Sequence, residues 1–134
     1  SSSDELLELR QILDESTVQL AMSKITPEEV EKLQHSIDKM KDACKNQDVE
    51  QMQTCDLEFH MLLIDSCKNI FFIRILKSVY SIFEKSIVEN VRKETVDSKA
   101  PLYHQRILDC IVNKDYNTVH EVVAESLATW RERV

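Results

Sequence analysis

The chain contains no glycine. Tight β-turns and hairpin connections draw on glycine for backbone angles that other residues avoid, whereas helices do not. A chain of 134 residues without it is therefore expected to be all-helical. The two prolines, Pro27 and Pro101, suit first helical turns rather than helix interiors. Hydrophobic residues make up 43% and charged residues 31%, which excludes a disordered chain and a membrane-spanning one. The length fits one domain able to bury its own core.

The net charge is −7, with no cluster of lysine and arginine. A surface that meets phosphates needs a basic face, so this segment is not expected to touch nucleic acid itself. No apolar run approaches the length of a membrane span and no signal peptide opens the chain. Cys44, Cys55, Cys67 and Cys110 show no C-x-x-C spacing and read as reduced thiols of a cytoplasmic protein.

Apolar periodicity divides the chain into about six helices. Ser1–Ser3 reads as a linker or expression remnant, and 4–134 as one helical domain. The first helix runs from about Asp4 to Ser23, with Leu6, Leu9, Leu13, Val18 and Met22 inward. Thr26-Pro27-Glu28-Glu29 has the pattern of a capping box for the second, which carries Val30, Leu33, Ile37 and Met40 inward. The third spans about Asp48 to Cys67, and the fourth about Ile70 to Lys93. Phe72, Ile75, Leu76, Val79, Ile82, Phe83 and Ile87 place apolar residues around much of the fourth helix, so it is expected at the centre. Glu94 to Lys99 reads as a loop, Pro101 opens the fifth helix, and the last follows Asn113-Lys114-Asp115 and ends near Arg133. Short connections make neighbours antiparallel, giving a bundle.

The chemistry concentrates in Asp56-Leu57-Glu58-Phe59-His60. Residues four apart on a helix differ by about 40° in azimuth, so Asp56 and His60 share a face. That face adjoins the apolar side marked by Phe59 and Leu63. A carboxylate and an imidazole one turn apart suit a divalent ion; equally they suit a surface ion pair. His104, beside Ile107 and Leu108 on the fifth helix, also tends inward, as a core histidine or as a third ligand.

Taken in order, several segments resemble the FCD-type effector-binding domain of GntR-family bacterial transcription regulators. They are Glu8-Leu9-Arg10-x-x-Leu13-Asp14, Ile25-Thr26-Pro27-Glu28-Glu29, Asp56-x-x-Phe59-His60, Ser66-Cys67-Lys68-Asn69 and His104-x-x-Ile107-Leu108. The resemblance covers essentially the whole chain. It implies an antiparallel helical bundle with an internal ligand cavity, which senses a small metabolite, a carboxylate above all. It further implies a homodimer, and control of DNA by an N-terminal winged helix absent from this chain. In that family an Asp, two His and, as fourth ligand, a His in the last helix hold a metal of zinc, nickel or manganese type. The first three fall on Asp56, His60 and His104, but the fourth falls on Ser126. His120 is no substitute: it lies six residues earlier, about 600° around the helix, and faces elsewhere. His120 and His35 read as surface or rim residues.

Serine is a poor ligand for such ions, so two outcomes stand open. Either the three residues keep a weakened metal, with water or an effector carboxylate in the fourth place, or they hydrogen-bond the effector without metal. The resemblance puts Arg10 at the cavity, where its fork suits a carboxylate; the plain reading is an arginine paired with Glu8, Asp14 or another acid. Tyr103 and Ser126 are expected at the effector too, and Tyr80 and Trp130 suit a cavity lining or plain core. Two functions of other classes remain for comparison. A metalloenzyme would need a base or nucleophile beyond the ligands, and none is evident. An interaction bundle without small ligand would leave Asp56 and His60 in solvent.

Overall fold

A computed structural model describes the backbone of residues 2–94 and 99–133 and the side chains of residues 4–82, 84 and 99–128. The described residues form six α-helices and no strand. They are α1 (Ser2–Lys24), α2 (Pro27–Lys45), α3 (Val49–Asp65), α4 (Ile70–Glu94), α5 (Ala100–Val112) and α6 (Val119–Arg133), with a 3-10 turn at Tyr116–Thr118. Most of the expected loop between α4 and α5 lies outside the described residues. No helix among the described residues is long and apolar enough to cross a membrane.

Local chemistry fixes the boundaries. At α2 the Thr26 hydroxyl accepts from the Glu29 backbone N–H at 3.2 Å, and the Glu29 carboxylate accepts from the Thr26 N–H at 3.0 Å. This is the reciprocal pair that the sequence announces. Asp48 caps α3 through the Gln51 N–H, and Asn69 caps α4 through the N–H groups of Phe71 and Phe72. Three helices end in residues with positive φ: Gln47 (55°), Lys68 (58°) and Lys114 (52°). Helices usually close with glycine at such places. At α2 the Asp48 N–H donates to Ala43 and the Gln47 N–H to Cys44, and α5 closes the same way. The glycine-free chain therefore holds ordinary side chains in a left-handed conformation that disfavours a Cβ.

The main core joins α1, α2, α3, α5 and α6 around Met22, Leu33, Ile37, Phe59, Leu108, Ile111, Val123 and Leu127. All four cysteines are buried and none is in a disulfide. Burial pushes the Cys67 thiol up to about 12, which leaves it unreactive.

Two expectations about burial fail. Helix α4 was expected at the centre, but among the described residues the main core holds no buried residue of it, and the described part of α4 packs through Leu76 and Tyr80 in a separate cluster. Ile75 and Ile82, expected inward, are more than half exposed, as are Ile70 and Phe71. Apolar residues around a helix show that it is hydrophobic, not that the same chain covers every side of it. Near the start of α1 Leu7 is buried, while Leu9, expected inward, is 40% exposed. The inward face of α1 also carries Arg10 and Thr17, both buried. These polar residues occupy core positions and blur the apolar stripe. Phe83, Ile87 and Trp130 have side chains outside the described residues.

Candidate metal centre

Helix α3 presents Asp56 and His60 on one side, one turn apart, and α5 brings His104 to the same point. The His104 Nε2 lies 2.8 Å from Asp56 Oδ1, and the His60 Nε2 lies 3.5 Å from that same oxygen. One ligand atom from each of the three residues falls within 4.8 Å of the others. Asp56 and His104 are buried, and His60 nearly so. An interaction bundle with these groups in solvent is therefore excluded. Two ligands each about 2.0–2.2 Å from one ion stand roughly 3 Å apart, so the donor set suits a divalent cation with little rearrangement.

Aromatic packing fixes the rings. Phe59, fully buried, stacks on His104 with centroids 4.0 Å apart and planes within 4° of parallel. His60 stands edge-on to His104, centroids 5.4 Å apart. Stacking fixes the plane of the His104 ring, and the contact with Asp56 aims Nε2 within that plane. Its other nitrogen, Nδ1, is buried and has no hydrogen-bond partner. Nε2 can ligate only in the tautomer that carries the proton on Nδ1.

Burial alone would raise the Asp56 carboxyl, but hydrogen bonds and charge from His104 and His60 outweigh it and hold the group well below the usual carboxylate range. Burial lowers His104 below its ordinary value, against the pull of Asp56. An ionised carboxylate facing an imidazole that resists protonation is the state in which both can bind a cation.

Arg10, buried on α1, donates its Nε–H to Asp14 Oδ2 at 3.3 Å. Its charge is also felt by Tyr80 and Asp56. The plain reading of this arginine holds, since it has an acid partner, and it is buried within electrostatic reach of Asp56. Asp14, Thr17, His60, Tyr80 and Val123 help to line a hollow of about 20 Å³, room for one water. An outer groove of about 450 Å³ between α2 and α3 is lined by Glu28, Glu31, Lys32, His35, Glu58 and Leu62. Its acidic balance suits no organic acid.

Tyr103 is half-buried and, one residue before His104, points about 100° away around the helix. The Ser126 hydroxyl donates to the Val123 carbonyl at 2.7 Å, and no described contact joins it to the triad. His120 is a rim residue, 72% exposed and 2.9 Å from Glu15; His35 is exposed. Sequence reasoning took Asp14 only as a partner for Arg10 and passed over Thr17. Arg10, Asp14 and Thr17 recur at helical spacing among apolar residues, and that polar line inside an apolar face was the available signal.

The sequence model of a family described as FCD domain matches residues 5–129. A curated relative, "Uncharacterized HTH-type transcriptional regulator YcbG" of Bacillus subtilis (strain 168), is 26% identical over 132 residues, 96% of this chain and 53% of the relative. The chain spans about half the length of that relative.

Proposed function

The chain belongs to the FCD domain family, and from that premise we propose that it is the effector-binding half of a transcription regulator that senses a small organic acid through a divalent metal. The observation that carries this reading is the meeting of Asp56, His60 and His104 in a buried interior, within electrostatic reach of the buried guanidinium of Arg10. The triad would hold the ion, leaving a coordination position for a ligand oxygen. The ion would supply Lewis-acid attraction for a carboxylate, and Arg10 a second, directional one.

The hollow beside His60 holds one water's volume, so an acid would enter it only as the surrounding helices part. Its lining comes from α1, α3, α4, α5 and α6, and a ligand there favours whichever helix arrangement gives it room. That differential affinity is the source of a regulatory signal. The relative is an HTH-type regulator about twice as long, and the signal would pass to a DNA-binding domain of that kind. A homodimer of the whole protein would match the two-fold symmetry of operators.

A thermal-shift screen of small organic acids, with and without zinc, nickel or manganese, tests the reading. A bound acid at about a hundred times its Kd stabilises the folded state by roughly 2.7 kcal/mol. The expected result is an acid-dependent rise in melting temperature that is larger with metal. No response to any acid in either condition overturns the proposal.

A further inference from the structure

Sulfur is concentrated at one end of the α2–α3 pair. A core cluster set apart from the main one has Met40, Ala43, Cys44, Met52 and Cys55 as its buried residues, with Ala100 packed against them. It gathers half of the chain's four cysteines and four methionines. Met40 and Cys44 lie one turn apart on α2, and Met52 and Cys55 three residues apart on α3, so each pair shares a helix face. The turn at 46–48 sends α3 back along α2, and there the Asp48 N–H donates to the Ala43 carbonyl at 2.9 Å. Further along, Lys39 and Glu58 pair at 3.2 Å. That antiparallel register brings the two sulfur-bearing faces together beside the turn.

We propose that Met40, Cys44, Met52 and Cys55 form a binding site for a soft monovalent metal ion of the copper(I) class. Thiolates and thioethers are donors that such an ion selects, whereas zinc draws on cysteine, histidine and carboxylates. On binding, a cysteine S–H bond breaks, a sulfur–metal bond forms and the proton leaves to solvent, while the ion keeps its oxidation state. One thiolate and one monovalent ion make a neutral pair, to which thioethers add no charge, so the complex suits an apolar surround that penalises net charge. Methionine is unbranched and flexible, and can swing to meet an ion. Cys44 is the least buried of the four, at 9% exposed, and marks the way in. The Gln51 Nε2–H donates to Cys55 Sγ at 3.6 Å, a bond that strengthens when the sulfur carries charge. Cys55 precedes Asp56 but points about 100° away around α3. The sulfur site is thus separate from the Asp56, His60 and His104 centre, and it does not depend on the carboxylate-sensing reading.

Anaerobic titration of the chain with copper(I), in competition with the chromophoric chelator bicinchoninate, tests the site. One ion per native chain is expected to be withheld from the chelator. Cys44→Ala combined with Cys55→Ala is expected to weaken binding by more than about tenfold, and Met40→Leu combined with Met52→Leu, which keeps the core volume, by about threefold or more. Cys110→Ala, in the main core, is expected to bind as the native chain does, and saturating zinc is expected to leave copper(I) uptake unchanged. Should the cysteine pair variant fold poorly, the methionine pair variant decides. A native chain that yields all its copper(I) to bicinchoninate, a methionine pair variant that binds as tightly as the native chain, or uptake abolished by zinc overturns the assignment.

Discussion

Replacing Asp56 by alanine, in chelator and at neutral pH, measures how strongly the centre is built into the metal-free fold. The Asp56 side chain is 8% exposed and receives the His104 Nε2–H at 2.8 Å, with His60 Nε2 at 3.5 Å. Alanine leaves the His104 N–H without an acceptor in a site where its ring is 5% exposed. It also leaves a small void. Loss of a hydrogen bond to a charged acceptor costs about 1.5–3 kcal/mol, and breaking a buried pair somewhat more, so a loss of about 2–4 kcal/mol is expected. For a chain of this size each kcal/mol moves the melting temperature by about 4 °C, giving a drop of roughly 8–16 °C. Asp56→Asn keeps one acceptor oxygen and should fall about half as far. Glu50→Ala, on the exposed side of α3, should stay within about 0.5 kcal/mol. Thermal and urea unfolding give these values. An Asp56→Ala chain as stable as the native one would refute the reasoning. It would mean that the cost of burying the carboxylate cancels what the imidazoles return.

Other outcomes follow from the same geometry. His104 titrates below its ordinary value of 6.5 in the fold, so the unfolded chain takes up the proton first. Stability is therefore expected to fall as pH drops below about 6.5, with further loss below the ordinary Asp56 value of 3.8. Melting curves across pH check this, and His104→Gln should flatten the upper part of the decline. Gln47→Gly should stabilise the chain by about 0.5–1 kcal/mol, because φ of 55° suits glycine; urea unfolding reads it, and a destabilised variant contradicts it. Ser126→His should raise metal affinity by more than about tenfold in a chelator competition; no change would place Ser126 away from the ion.

The fold was largely legible, because the missing glycine, the Thr26–Glu29 box and the proline positions are local signals with local causes. Asp56 and His60 were legible for the same reason: their four-residue spacing sets their shared face. The meeting with His104 is a contact between helices: its apolar neighbours showed that it tends inward, and the family resemblance favoured the third-ligand reading over a core histidine. The stacking of Phe59 on His104 left no mark in the sequence beyond an ordinary core phenylalanine. Where a site replaces core, as with Arg10 and Thr17 on α1, apolar periodicity misreads the face, and Leu9 was placed inward for that reason. The exposed side of α4 was misjudged because hydrophobicity is a property of the helix, while burial depends on what surrounds it.

Calorimetric titration of the purified chain with zinc, nickel and manganese bears most directly on the centre. One divalent ion per chain is expected, with affinity reduced more than about tenfold in each of Asp56→Ala, His60→Ala and His104→Ala. A native chain that takes up no ion, or three variants that bind as tightly as it does, would contradict the assignment of these residues as ligands.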